Sequence, residues 1–451
     1  MVSKLFMGIY TIVLIVIGLA LGVLASPYLG VTTPSPATAT TVTATLVREA
    51  TSGGVAGGTV TVASYTTYTY TITRTEATGT AKELRVLFIY VGPVGDLGWT
   101  NAHDVGRRYV ESLLPWVKTR YLESVDPARA YDVISEQIKT FNPQVVFTTS
   151  YDFMDATVRA AQTYRNVIFF HCSGDKRDIN LGTYFADLYQ AYYINGLMAG
   201  ALTKSGRIGY VVAHIIPETI RHINAFTIGA IETGSQLGKN ITVYVIEIGA
   251  WYNPDKARAA ASILVERYGV DVLAFTEDSS AIVEYAESLY KADREIYVFS
   301  HYSPMYRYGP DVVVSGQLVN WGPIYLDILL KVWTGVYNTT NLKNVDYWWL
   351  LAQGAVDVGA DFGMFVNPKH ESVLKQIYVK DKVDGKTKSV YQLALERYYR
   401  MKESHVAFDP FTGPLYDAEG NLRVPEGVRL SYYDIWYINW FVKGVVNLGK
   451  I

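Results

Sequence analysis

Short apolar runs recur along the chain from residue 84 onward, and most are followed by a segment with helical periodicity. The runs cover 84–91, 145–149, 167–170, 208–213, 243–248, 272–275 and 296–299. The helical segments include 101–114, a segment that begins near 155, 218–233, 254–267 and 280–292. Continuous apolar runs that alternate with helices predict parallel sheets covered on both faces. Roughly 370 residues are too many for one doubly wound sheet, so the pattern predicts two α/β lobes.

The amino-terminal segment follows a different pattern. Residues 5–25 form a stretch of 21 residues without a charge. At a rise of about 1.5 Å per residue, such a helix just spans a hydrocarbon core of about 30 Å. Lys4 precedes the stretch and Arg48 is the first charge after it, which predicts that the bulk of the chain lies outside the cytoplasm. A cleaved secretory signal is the alternative, because residues 24–26 would suit a signal peptidase.

Residues 26–82 are predicted to be a stalk. Of the 49 residues at 32–80, 21 are Thr or Ser and only four are charged. Such a segment cannot bury enough apolar area to offset its backbone entropy, so an extended spacer is favoured. The alternation of Thr with Val, Tyr and Ile makes a β-strand at 59–73 the alternative.

Composition excludes several classes of protein. The chain has 40 basic and 42 acidic residues, and 49% of its residues are hydrophobic, so it is neither disordered nor a strongly basic nucleic-acid binder. Its single cysteine, Cys172, excludes intramolecular disulfides, zinc ribbons and cysteine-ligated iron–sulfur clusters. We therefore predict no metal and no cofactor.

The loops after the predicted strands carry the candidate chemistry, because ligands of parallel sheets bind at the carboxyl ends of the strands. These loops hold Asp96, Trp99, Ser150, Tyr151, Asp152, Asp155, Trp251, Asn253, Glu277, Asp278 and His301. Aromatic rings and carboxylates with few cations suit a neutral, flat solute that donates hydrogen bonds. The alternatives are that Asp155 and Asp278 cap helices and that a loop Trp serves packing.

Several of these segments resemble a known family. The sequences are VGPVGDLGWTNAHD at 91–104, TSYDFMD at 149–155, GTYF at 182–185, TKSGRIGYV at 203–211, INAFTIG at 223–229 and WYNP at 251–254. Together they resemble the basic membrane protein family of substrate-binding proteins, densely over 84–345 and thinly to the carboxyl terminus. The resemblance implies a type I periplasmic-binding fold, in which two lobes are joined by three crossovers and hold the ligand between them. It also implies service to an ATP-driven (ABC) importer, with purine nucleosides or purine bases as solutes.

The resemblance also implies a division into lobes and a set of site residues. It places the first lobe at 84–203 plus 317–342 and the second at 204–316 plus 343–451. It implies family roles for Asp96, Trp99, Asp155 and Asp278, and a hinge segment at 320–323. With the loop residues, the predicted ligand-binding set is Asp96, Trp99, His103, Ser150, Tyr151, Asp155, Trp251, Asn253, Asp278 and Trp321.

Two positions depart from the family pattern. Pro304 stands where relatives often have a carboxylate, and Glu277 where they often have Thr. The solute therefore need not be that of a typical relative.

Two other classes of function stay open at the level of sequence. The seven histidines form no HExxH pattern and there is no Gly-x-Ser-x-Gly motif, so we predict no enzyme. Asp96 and Asp155 could nevertheless act as an acid–base pair in a nucleoside hydrolase. A ligand-sensing ectodomain is the other alternative, although four residues before the apolar stretch are too few for a signalling domain. The expected partners are a small solute, the permease subunits of the importer and the membrane, but no nucleic acid.

Overall fold

The computed structural model describes residues 38–46, 68–76, 83–404 and 407–451. The chain divides into two compact units, 1–82 and 83–451. The apolar stretch at 5–25 lies outside the described residues. Among the residues that are described, no helix has both the length and the apolar character needed to cross a membrane.

The first unit contains a pair of strands. β1 (Thr38–Leu46) and β2 (Tyr68–Glu76) are antiparallel, with Thr38 opposite Glu76 and Leu46 opposite Tyr68. The prediction of an extended spacer is therefore wrong for these two segments. Their Thr, Val, Tyr and Ile residues favour strands, and pairing satisfies the backbone groups that a lone extended chain leaves to water. The predicted strand at 59–73 overlaps β2; the remainder of the predicted stalk lies outside the described residues.

The second unit alternates strands with helices. Its strands are β3 (Leu84–Ile89), β4 (Val117–Leu122), β5 (Val145–Thr148), β6 (Ile168–Cys172), β7 (Leu181–Ala186), β8 (Arg207–Val212), β9 (Thr242–Glu247), β10 (Val272–Thr276), β11 (Tyr297–Tyr302), β12 (Val313–Val319), β13 (Asp346–Trp349), β14 (Val356–Val358), β15 (Tyr378–Lys380), β16 (Thr387–Ser389), β17 (Leu415–Tyr416), β18 (Leu422–Val424) and β19 (Val445–Lys450). Its helices are α1 (Trp99–Leu113), α2 (Ala130–Phe141), α3 (Met154–Thr163), α4 (Tyr189–Leu202), α5 (Pro217–Gly234), α6 (Pro254–Tyr268), α7 (Ala281–Tyr290), α8 (Gly322–Trp333), α9 (Pro368–Gln376), α10 (Val390–Glu403) and α11 (Tyr432–Trp436).

Two large sheets form the two lobes. The first has six parallel strands in the order β13-β7-β6-β5-β3-β4. The second has seven in the order β14-β12-β11-β10-β8-β9-β19, and β14 is its antiparallel edge strand. Strands β5, β6, β7 and β10 are buried along their whole length, as expected for parallel strands covered on both faces. The prediction of an α/β fold with two parallel-sheet lobes is confirmed.

The chain passes between the two sheets three times, after β7, after β12 and after β13. Helix α4 follows the first crossing and packs against α5 and α10, so it belongs to the second lobe. Gly196 and Gly200 allow this packing, because a Cβ atom at either would overlap a carbonyl oxygen of α5. The predicted boundary at 203 therefore falls after α4 instead of before it. The predicted end of the first lobe at 342 likewise precedes β13, which pairs with β7 in the first sheet.

Candidate functional site

The two lobes meet where the loop after β3 faces the loop after β10. The backbone N–H of Trp99 in the first lobe donates a hydrogen bond to Asp278 Oδ1 in the second, at 3.0 Å. Gly98 permits this approach, because a Cβ atom there would lie 2.5 Å from the Cα atom of Asp278. The lobes are therefore in contact at the carboxyl ends of their strands, which is the closed arrangement of a two-lobed binding protein.

Asp96 holds the loop that begins α1. Its Oδ1 accepts backbone N–H groups from Gly98 at 2.8 Å and Asn101 at 2.9 Å, and its Oδ2 accepts that of Thr100 at 2.9 Å. Burial of the carboxyl raises its pKa to about 6, and the three backbone donors oppose that rise. Both oxygens are thus committed to the start of the helix, which Gly98 itself cannot cap with a side chain.

Trp99 rests on a cluster of aromatic side chains. Its ring meets Tyr302 edge-on at 5.1 Å and Trp321 at 5.4 Å, and its indole N–H donates to the Thr149 carbonyl. Trp321 in turn stacks on His103, with the ring centres 4.2 Å apart. Of these rings, that of Trp99 is the most exposed, at 7%.

His103 and Trp321 are fully buried below Trp99. His103 Nδ1 lies 2.5 Å from the Tyr325 hydroxyl, and burial lowers the pKa of the ring, which keeps it neutral. The prediction that these two side chains contact the solute is not supported, because each is covered by other rings. They support Trp99 from behind.

A cavity of about 290 Å³ lies between the lobes. Its walls come from loops of both lobes and from the carboxyl-terminal part of the chain. The lining residues are Tyr151, Met154, Ser173, Asp175, Lys176, Ile216, Pro217, Glu218, Arg221, Trp436 and Tyr437. The volume is close to the lower end of the roughly 300–1,000 Å³ usual for small-molecule sites. Of the predicted set, Tyr151 is among the lining residues, at 41% exposure.

A buried ion pair fixes one wall of this cavity. Arg221 Nε donates to Asp187 Oδ2 at 2.6 Å, and the indole N–H of Trp348 donates to the same oxygen at 2.8 Å. Burial disfavours the ionised Asp187, but Arg221 and His222 outweigh this effect and lower its pKa. The guanidinium of Arg221 lies 4.9 Å from the centre of the Trp436 ring. Asp187 therefore holds Arg221 against the Trp436 ring, and the charge of Asp187 is itself paired by Arg221 and His222.

Glu218 stands in the first turn of α5 and lines the same cavity. Its Oε1 accepts a hydrogen bond from the Tyr302 hydroxyl at 3.2 Å. Burial raises its pKa to about 7, and the positive charge of Arg221 opposes that rise. Near neutral pH this carboxyl is thus divided between a form that only accepts hydrogen bonds and a form that can also donate one.

Two predicted residues are engaged in local structure, and a third bonds to the opposite lobe. Asn253 Oδ1 accepts the backbone N–H of Lys256 at 3.1 Å and so caps α6. The Ser150 hydroxyl accepts the N–H of Asp152 at 3.2 Å at the start of a single 3₁₀ turn. Trp251 donates its indole N–H to Asp152 Oδ2 at 3.1 Å, which is a second bond between the lobes.

Asp155 lies outside the cavity wall. Its side chain is 88% exposed and forms an ion pair of 2.6 Å with Lys176. The hydrogen bond from Lys176 lowers its pKa. The structure gives no support to a buried solute contact at Asp155. The acid–base pair that Asp96 and Asp155 would form in the alternative of a nucleoside hydrolase is not assembled either, because the oxygens of Asp96 are turned to their own loop.

Elsewhere in the described part of the second unit, a group of three carboxylates is already paired with a lysine side chain. Asp381, Asp384 and Glu396 surround the ammonium group of Lys388, which forms an ion pair with each. Lysine supplies there the positive charge that a metal would otherwise bring.

Ser173, Glu218, Arg221 and Trp436 line the cavity, but the sequence patterns did not single them out. Ser173 lies in the loop after β6 and Glu218 in the first turn of α5, shortly after β8, so the rule that ligands bind at strand ends pointed close to both. Trp436 is more than 200 residues from Arg221 in sequence, and no local spacing connects the two.

Residues 83–392 match the model of the family described as ABC transporter substrate-binding protein PnrA-like (Bmp). The chain belongs to this family. It is 30% identical over 365 residues to a purine-binding protein of Brucella abortus, an alignment that covers 81% of this chain and 93% of the relative. It is also 32% identical over 238 residues to a putative ABC transporter glucose-binding protein of Haloferax volcanii, with 53% of this chain and 58% of the relative covered.

Solved structures agree on the fold. An ABC transporter solute-binding protein of Aeropyrum pernix superimposes with a TM-score of 0.56 at 14% identity, covering 72% of this chain and 88% of the other. One from Conexibacter woesei gives 0.51 at 16% identity, covering 72% and 99%. As a member of the PnrA-like family, the chain is a solute-binding protein of an ABC transporter, a class of proteins that bind small molecules outside the cytoplasm and interact with permease subunits. Proteins of this family typically bind their substrates without converting them.

Proposed function

We propose that the solute is a purine base or a purine nucleoside, bound in the cavity between the lobes. The purine-binding relative of Brucella abortus, which aligns over 93% of its length, supports this choice. Glu218, Arg221 and Trp436 line this cavity, and Trp99 and Asp278 form a contact between the two lobes.

The observation that carries the proposal is the buried carboxyl of Glu218. A purine edge such as that of adenine presents an acceptor, N7, beside a donor, the N6 amino group. A protonated carboxyl offers the complementary pair, one O–H donor and one carbonyl acceptor. Because burial raises the pKa of Glu218 to about 7, this form is available at neutral pH.

The aromatic residues of the cleft supply faces for a flat ring. Tyr151 lies on the first lobe and Trp436 in the carboxyl-terminal part of the chain, and both line the cavity. Aromatic pairs in offset or edge-on contact contribute about 0.5–1.5 kcal/mol beyond the area they bury. A ring solute that touches both lobes would favour the closed arrangement by its difference in affinity for the two states.

We also propose that the protein is tethered to the membrane by its apolar segment at 5–25, or secreted after cleavage of that segment, as the distribution of charges around it indicates.

The test is titration calorimetry of the full chain with adenosine, adenine and glucose. We expect micromolar or tighter binding of a purine compound and none of glucose. Affinity should fall as the pH rises above about 7, because Glu218 then loses the proton that it donates. Tight binding of glucose without binding of either purine would refute the proposal.

Substitutions at Glu218 sharpen the test. Glu218→Gln keeps one donor and one acceptor, so it should bind near neutral pH and lose the pH dependence. Glu218→Ala should weaken binding by about 10-fold or more, as expected for loss of hydrogen bonds in a buried site. Glu136→Gln, an exposed change on α2, is the matched control. A Glu218→Gln variant with the parent's pH profile would exclude this carboxyl as the donor.

A further inference from the structure

The segment that carries Trp436 lies beyond the residues that match the family model, which end at 392. We call residues 428–440 the strap. It contains the short helix α11 and leads into β19, which pairs with β9 at the edge of the second sheet. Trp436 and Tyr437 of the strap line the cavity.

Both ends of the strap are fixed to the second lobe. Before α11, the guanidinium of Arg429 donates to Asp409 at 2.9 Å, and Asp409 also accepts the hydroxyl of Tyr189 at the start of α4, at 2.7 Å. After α11, the side-chain N–H of Asn224 on α5 donates to the Trp440 carbonyl at 2.8 Å. The same Asn224 accepts the backbone N–H of Val442 at 2.9 Å. The strap is therefore carried by the second lobe when the lobes move.

The middle of the strap reaches the first lobe through two phenol hydroxyls. Tyr432 donates to Asp346 on β13 at 2.8 Å, and Tyr437 donates to Asp175 in the loop after β6 at 2.9 Å. The ring of Trp436 meets Phe185 of β7 edge-on, with the ring centres 5.6 Å apart. Three aromatic side chains thus contact the lobe opposite the one that anchors their segment.

We propose that the strap is a latch: Tyr432 and Tyr437 hold the lobes closed, and Trp436 forms the wall of the cavity that closes over the solute. Because the two hydrogen bonds join elements of different lobes, they exist only when the lobes are together. Part of the free energy of closure then comes from the protein itself, which adds to the differential affinity of the solute for the closed state. The strap therefore slows the release of the solute from the cavity.

The latch can be tested without any solute. Spin labels at Lys139→Cys on α2 and Ala292→Cys after α7 report the distance between the lobes, and the native Cys172 is buried and stays unlabelled. In the full chain we expect Tyr432→Phe combined with Tyr437→Phe to broaden and shift the distance distribution. Tyr433→Phe is the matched control, because this tyrosine lies on the same helix and is 64% exposed. Distributions that are the same in the double variant and in the parent would overturn the proposal.

Release kinetics give a second measurement, which rests on the proposed purine function. With adenosine as the probe, Tyr432→Phe should speed dissociation by about tenfold, as expected for one partly buried hydrogen bond to a charged group, and Tyr437→Phe by less, because its bond to Asp175 is exposed. Thermal unfolding of the variants separates this effect from misfolding. Unchanged dissociation rates in the double variant would overturn the latch. Failure of adenosine to bind the parent would count against the purine proposal, and the label distances would then decide the latch.

Discussion

The loops after β3 and β10 meet across the cleft, and each places a buried aspartate after a strand. The groups that donate hydrogen bonds to these two carboxylates come from different parts of the protein. Asp96 accepts three backbone N–H groups from its own loop. Asp278 accepts the N–H of Trp99 from the opposite lobe. The first carboxyl therefore fixes the loop whether the lobes are open or closed, whereas the second makes its bond only on closure. The same residue type at the same place in a βα unit can thus be a structural cap or a closure contact.

Closure also gathers acidic groups. Burial raises the pKa of Asp278 well above its usual range, and the nearby charge of Asp96 adds to the rise. Glu277 beside it accepts hydrogen bonds from the backbone and the hydroxyl of Ser279, yet burial raises its pKa to about 8. The folded protein therefore holds protons on these carboxyls at a higher pH than the unfolded chain does.

The largest expected effect is a loss of stability with rising pH. Glu277 has an ordinary pKa of 4.5 and a folded-state pKa of about 8, so the native protein holds a proton that the unfolded chain gives up. Its contribution is fully present below about pH 4.5 and is lost as the pH rises toward 8. At about 1.4 kcal/mol per pH unit, the free energy of unfolding should fall by roughly 2–3 kcal/mol between pH 5 and pH 7.

Denaturant unfolding of the parent and of Glu277→Gln over this range measures the effect. Glutamine has no proton to lose, so the slope should become shallower; Asp96, with a pKa of about 6, and Glu218, with one of about 7, would supply what remains. A Glu277→Gln variant with the parent's slope would mean that this carboxyl is solvated in solution.

The second effect concerns Gly98, where the loops touch. In Gly98→Ala the new methyl group would lie 2.5 Å from the Asp278 Cα atom when the lobes close, while the separated lobes have room for it. Overpacking of 1–3 kcal/mol translates into about 5- to 150-fold weaker solute binding. Gly95→Ala is the matched control, because nothing lies within 4 Å of its Cβ position. Calorimetry with the bound solute checks both, and equal affinities would show that closure does not bring these loops together.

The third effect separates capping from recognition at Asp96. Asp96→Asn replaces one of two accepting oxygens with an N–H donor, which would face a backbone N–H. We expect a destabilisation of about 1–3 kcal/mol, seen as a lower melting temperature. A variant that melts like the parent but binds solute 10-fold more weakly would show that Asp96 contacts the solute.

Sequence patterns predicted the architecture well because burial on both faces of a parallel sheet leaves a local signature. The apolar run at 145–149 became β5, and the one at 272–275 became β10. The site was predicted less well. Trp99 and Asp278 form a contact between the lobes, but His103 and Trp321 are covered, since a sequence shows that a ring follows a strand and not which rings stack above it. Trp436 reaches the cavity because the carboxyl-terminal segment folds back onto the lobes, and no periodicity in the sequence predicts this.

The smallest expected effect is at Asp155. Its side chain is 88% exposed, and its bond is a surface ion pair with Lys176. Exposed ion pairs contribute little to stability because solvent screens them, and asparagine preserves the shape of the side chain. Asp155→Asn should therefore leave the melting temperature unchanged and the solute affinity within twofold of that of the parent. Both are measured at low and at moderate salt. The result is informative because the neighbouring Lys176 lines the cavity. If Asp155→Asn weakened binding 10-fold, Lys176 would have to be a solute contact that Asp155 orients, and the first lobe would then read its solute through a charge as well as through rings.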